Sequence, residues 1–152
     1  MAITNADARQ QLLDAVGDAT DDIGVALGSL GEAYERLDEQ TADRLEQEMF
    51  RPVQRAYGRA QRTHAEFAAR SGLPSRRFEP ASLGAPSHSV KDLIEGAVDA
   101  AARADSTLST LQDSMLPVEF GDPDLRAGLQ GVRELIGGLR PQARDLVRTL
   151  GR

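Results

Sequence analysis

Apolar side chains return in alternating steps of three and four along most of this 152-residue chain. One run is Leu13, Val16, Thr20, Ile23, Leu27, Leu30, Tyr34 and Leu37. A second is Val90, Ile94, Ala97, Ala101, Ala104, Leu108, Leu111 and Met115. A third is Leu125, Leu129, Val132, Ile136, Leu139, Ala143, Leu146 and Leu150. That spacing sets each run on one stripe of an α-helix, and such a stripe is stable only when another element covers it. A looser run, Leu45, Met49, Val53, Tyr57, Ala60, His64 and Phe67, supplies a fourth. The pattern predicts an all-α single domain, a four-helix bundle of long amphipathic helices packed antiparallel. The helices fall at about 4–37, 42–71, 89–116 and 122–150, with a long loop between helices two and three.

Local signals place most of the boundaries. Thr4 with Asp7, and Ser89 with Asp92, have the spacing of a capping box. Asp122-Pro123-Asp124 combines a cap side chain, a first-turn proline and an acid at the positive end of the helix dipole. Gly72 and Pro74 end helix two. Residues 38–42 are polar but hold no Gly or Pro. A turn there gives four helices of about 30 residues, each about 45 Å long, so their ends match. Pro52 either kinks helix two or marks its true start. Gly137, Gly138 and Pro141 predict a bend in helix four. The connection 72–88, if fully extended, reaches about 55 Å, so both an up-down-up-down order and a crossover fit it. Leu73, Phe78 and Leu83 are expected to pin it to the helices.

Glycines 17, 24 and 31 share one face of helix one, beside its apolar stripe. A helical glycine costs about 1 kcal/mol relative to alanine. The expected compensation is close approach of a neighbouring helix.

Charge is segregated along the chain, whose formal net charge is −6. Residues 1–50 carry 12 acids and 3 arginines, whereas residues 51–80 carry 7 arginines and 2 acids. Within the basic part, Arg51, Arg55, Arg59 and Arg62 fall in an arc of about 80°, roughly 145° from the apolar stripe of the same helix. They are expected to face solvent. Glu48 is placed to pair with Arg51, and Glu66 with Arg62 and Arg70, which leaves Arg55 and Arg59 without a local acid. Unsatisfied guanidinium forks suit carboxylate and phosphate, so these four are the candidate anion- or partner-binding residues, with Arg76 and Arg77 in the loop as an extension. On helix four, Arg126, Arg133, Arg140, Arg144 and Arg148 lie along one flank, where ion pairing within or between copies is expected. Asp92, Glu95 and Asp99 form an outward acidic stripe on helix three.

Several chemistries lack their residues. There is no cysteine, and hence no thiolate metal site or cysteine nucleophile. A di-iron bundle needs Glu-x-x-His pairs, but Gln61 and Ala85 stand three residues before His64 and His88. No G-x-S-x-G or P-loop is present, and Gly128-x-x-Gly131 lies inside a helix. His64 falls on the apolar stripe, where a buried imidazole bonded to a polar neighbour is expected. No catalytic, metal or cofactor residues are therefore predicted. No run of about 18 apolar residues and no basic, apolar leader occurs, so a cytoplasmic protein without membrane contact is expected.

The function these features predict is non-enzymatic: an interaction or scaffold protein that meets a protein partner, or a second copy of itself, through charged helix faces. The alternative is an anion or nucleic-acid binder using the arginine stripe, although single strands are normally held by stacking and the chain has no Trp, two Tyr and four Phe. A third reading is a small-molecule or enzyme site inside the bundle around His64, Tyr57 and Tyr34.

Overall fold

The computed structural model describes residues 4–81 and 88–150, and all regular structure among them is helical. The elements are α1 (Asn5–Glu35), α2 (Glu39–Leu45), a π-helical turn (Glu46–Phe50), α3 (Arg51–Ser71), α4 (Val90–Asp113), a single turn α5 (Leu116–Glu119), α6 (Pro123–Ile136) and α7 (Leu139–Leu150). The α2, π and α3 pieces follow one another without a break, whereas α6 and α7 part at Gly137–Gly138. The expected four long helices thus become five.

Each boundary has a local cause. Thr4, Asp38, Ser89 and Asp122 hold extended backbone, and their side chains accept hydrogen bonds from the amides of Asp7, Thr41, Asp92 and Leu125. The first turn falls at Arg36–Asp38, slightly before the expected 38–42, because Asp38 caps the next helix. Gly72, at φ 68°, closes α3 with the left-handed conformation that glycine adopts freely. Pro52 stands in the first turn of α3, at the start of the α-helical stretch as one expectation had it, but the chain leading into it is helical too and not a turn. In an α-helix its ring would meet the Glu48 carbonyl and its missing donor would break the ladder. The chain widens instead: the Arg51 amide donates to the Glu46 carbonyl five residues back. The gap at Gly137–Gly138 leaves Pro141 in the first turn of α7, where helix amides need no intrahelical acceptor.

The predicted stripes are buried along their length. Ile23, Leu30, Leu45, Met49, Phe67, Ile94, Leu108, Leu125, Leu129 and Leu146 are fully covered and belong to one contiguous apolar cluster. Burying a Leu or Ile side chain contributes about 1.5–3 kcal/mol, so these contacts dominate the stability. Only stripe ends escape: Tyr34, Met115 and Leu150 are exposed.

Helix α1 lies against α3 on one side and α4 on the other, and α6 meets α3 and α4 from the opposite side. Gly17 sits beside His64 and Gly24 beside Tyr57, so α1 and α3 run in opposite directions. Asp22 pairs with Arg103 at 3.5 Å, and Arg36 donates to the His88 carbonyl, so α1 and α4 also run oppositely. Consequently α3 and α4 point the same way. The chain between them must retrace the length of the molecule, which settles the topology as a crossover. Residues 73–81 do this as an extended strap along α1 and α3: Arg76 lies beside Gly17, Glu79 and Pro80 beside Gly24, and Ala81 over Gly28. The close approach at α1's glycines is therefore shared: α3 supplies Tyr57 at Gly24 and His64 at Gly17, as expected of a neighbouring helix, and the strap supplies the rest, alone at Gly28. Gly31 has nothing near it. Leu73 and Phe78 pack on the core as predicted, while Leu83 lies outside the described residues.

Candidate functional site

Helix α3 carries two polar features on different sides, one facing α6 and one facing α1 and the strap. On the α6 side, Gly128 and Gly131 bring the two helices together. The Thr63 side chain fills the space where a Cβ on Gly128 would stand, and Thr63 Oγ1 donates to the Arg59 carbonyl at 2.8 Å. One turn along, the Arg59 guanidinium lies over Gly131, its Cζ 3.4 Å from where a Cβ would project. Arg62 folds back over Gly58 in the same way, at 3.3 Å. Missing side chains thus provide beds for two guanidinium groups.

The result is an open groove of about 500 Å³ lined by Arg55, Arg59, Arg62, Glu134, Leu135, Gly58 and Gly131. It runs on into a recess of about 220 Å³ where Glu66 and Asp124 join Arg59 and Arg62. Arg55 and Arg62 are exposed, and Arg59 is half-buried. None of Arg51, Arg55, Arg59 and Arg62 has an acid within 4.0 Å among the described residues. None of the three local pairings expected from the sequence forms, Glu66 pairing with neither Arg62 nor Arg70. Glu48 lies 3.6 Å from Arg44, not at Arg51. Arg70 turns from Glu66 to Asp122, donating through Nε at 2.7 Å and Nη2 at 2.9 Å. That bidentate pair holds the Asp122 carboxyl below the usual range, burial opposing it and the Leu125 amide adding to it. The same pair raises Arg70 further above its ordinary value.

The predicted stripe therefore divides. Arg55, Arg59 and Arg62 line the groove. Arg51, one turn earlier, is exposed but is not among the lining residues. Arg76 belongs to the other side of α3, where it pairs with Asp21 and stacks on Phe78, its Cζ 4.3 Å from the ring centre. Arg77 is exposed on the strap. Of the α6–α7 arginines, Arg133 pairs with Asp105 at 2.8 Å and Arg126 donates to the Pro117 carbonyl. Arg140 and Arg144 line a second groove of about 470 Å³ against Lys91, Glu95 and Asp99 of α4.

Under the strap, His64 is only 4% exposed and Tyr57 only 6%. The polar partner expected for His64 is missing: Nδ1 has no hydrogen bond, and the Phe78 ring meets the imidazole at right angles, 5.0 Å between centres. Tyr57 Oη is likewise buried without a partner. Burial, and next Arg76, push the His64 pKa down, with Asp14 and Asp21 opposing. Burial, Asp21 and Glu79 raise that of Tyr57. Tyr34 is 40% exposed near the end of α1 and does not join this pair.

No group of three or more His, Asp or Glu able to hold a metal ion occurs among the described residues, and none of the described helices is long and apolar enough to cross a membrane. The chain matches no protein-family model, no curated protein and no solved structure.

Proposed function

We propose that this is a non-enzymatic interaction protein whose α3–α6 groove docks an acidic surface of a protein partner. The observation that carries the reading is the contrast in how arginines are satisfied. Arg36, Arg44, Arg70, Arg76, Arg103, Arg133 and Arg148 each have a carboxylate within 4.0 Å, whereas Arg55, Arg59 and Arg62 converge on one groove with none that close among the described residues. Clustered like charges repel by a few tenths of a kcal/mol per i,i+4 pair, and an incoming carboxylate relieves that repulsion. Leu135 adds an apolar contact and Glu134 a point that selects against uniformly anionic ligands. No aromatic ring lines the groove on which a nucleobase could stack, which favours a protein over a single-stranded nucleic acid. A second copy is one source of such a surface, since Asp92, Glu95 and Asp99 are all exposed on α4.

Fluorescence anisotropy with a labelled glutamate-rich peptide, and with a labelled oligonucleotide of equal charge, tests this directly. The peptide should bind with an affinity that weakens as salt screens exposed charge. Arg55→Glu/Arg59→Glu should lower that affinity at least about tenfold, or about 1.4 kcal/mol. Unchanged peptide binding in the variant rejects the groove, and tighter binding of the oligonucleotide shifts the function to nucleic acid. Light scattering at two salt concentrations reads self-association, which a monomer at every concentration would exclude.

A further inference from the structure

The strap covers a costly place. Two buried polar atoms beneath it, His64 Nδ1 and Tyr57 Oη, make no hydrogen bond, and each such atom loses the water it would have in the open. What holds the strap down is modest: the Phe78 ring on His64, the half-exposed Arg76–Asp21 pair, and one main-chain hydrogen bond from the Ala81 amide to the Gly24 carbonyl at 3.3 Å. At its start, Leu73 is fixed independently, because its amide closes the α3 cap on the Ala68 carbonyl at 2.9 Å. The helices on either side also meet each other directly through residues of the apolar core, on which Phe78 packs from outside.

We propose that residues 75–81 form a pH-gated strap: protonation of His64 expels Phe78 and Arg76 and uncovers the Gly17–Gly28 face of α1 while the helices remain folded. The charged groups around the imidazole set the balance. From the strap, Arg76 repels an imidazolium; from α1, Asp14 and Asp21 attract it, but Asp21 is already engaged by Arg76. The dominant influence is burial under Phe78, which favours the neutral ring and depresses its pKa. The sign follows. A base whose pKa is lower in the closed state than in the open one binds its proton better when open. Closure is therefore most favoured above the ordinary imidazole value of about 6.5 and weakens as pH falls from there through the lowered closed-state value. Opening hydrates both orphaned atoms at once.

Two-dimensional NMR of the full chain between pH 8 and pH 5 tests the device, with far-UV circular dichroism alongside. Contacts between the Phe78 and His64 rings, and the amide shifts of residues 76–81, Gly24 and Gly28, report closure. These contacts should vanish and the shifts move with the same midpoint as the His64 titration, while helical dichroism stays constant. His64→Phe, which cannot take up a proton, should keep the strap shifts independent of pH. Phe78→Ala should show open-strap shifts already at pH 8. Three results would overturn the proposal: Phe78–His64 contacts that persist while His64 titrates, a His64 that stays neutral to pH 5 beneath a closed strap, or loss of helix at the same midpoint.

Discussion

The two sides of α3 solve the arginine problem in opposite ways. Facing α1, Arg76 is held by Asp21, by the Phe78 ring and by the floor that Gly17 provides. Facing α6, Arg59 has a glycine floor of the same kind at Gly131 but no carboxylate within 4.0 Å among the described residues, although Glu134, Glu66 and Asp124 line the same hollow. Both sides use a missing Cβ to seat a guanidinium against a helix. One side is filled by the protein's own chain, and the other is left open. The difference teaches that at Gly17 and Gly131, though not at every helical glycine, the missing Cβ marks where a guanidinium lies across the helix, and that the charge left over separates the side filled by the chain from the side left open.

The largest test of this contrast is Gly128→Leu. A side chain there runs into Thr63 and pushes α6 away from α3, so the thermal midpoint should fall with a loss of about 1–3 kcal/mol, and the groove should lose its peptide affinity. Asp122→Ala comes next. It removes both the α6 cap and the anchor for Arg70, and chemical denaturation should show a loss of about 0.5–2 kcal/mol. Because the Asp122 pKa is lowered in the folded state, its stabilisation is present above the ordinary aspartate value of about 3.9 and disappears as pH falls through the lowered one. The gap between the variant and the parent should therefore close in acid.

Two neighbouring glycines sharpen the comparison on the strap side. Gly31 has no atom within 4 Å of a would-be Cβ, so Gly31→Ala should raise stability by about 0.5–1 kcal/mol through helix propensity alone. Gly28→Ala gains the same propensity but drives its methyl into the Ala81 carbonyl, so its thermal midpoint should rise less and its strap amide shifts should move. Smallest of all, Arg76→Ala should change global stability by at most about 1 kcal/mol, because the pair it breaks is half-exposed. Its effect should appear in the strap shifts instead.

Much of the architecture was legible in the chain because its causes are local. A three-four repeat, a capping serine or aspartate and a Gly-Pro stop act within a few residues, so α1, α4, the end of α3 and the start of α6 fall close to where the sequence puts them. The wide turn at Glu46–Phe50 was not legible, since a proline inside a helix has several remedies and tertiary contacts choose among them. Nor was the division at Gly137–Gly138, where a bend and a break look alike in sequence. The candidate site was half readable. The spacing of Arg55, Arg59 and Arg62 placed them on one face. Their second wall, Gly131, Glu134 and Leu135, comes from a helix some 70 residues further along the chain, and no periodicity links the two. Gly128-x-x-Gly131 was the available signal: two small residues on one turn mark a close neighbour without naming it. The same limit hid Asp122 as the partner of Arg70, and the strap as the occupant of α1's glycine face.

The most direct test follows the arginine Nε–Hε resonances while a glutamate-rich peptide is titrated into the labelled protein. The free-groove reading predicts that Arg55, Arg59 and Arg62 shift together and saturate, while Arg70 and Arg76, already held by Asp122 and Asp21, stay in place. Shifts spread evenly over all the surface arginines, or none at Arg55, Arg59 and Arg62, would contradict it.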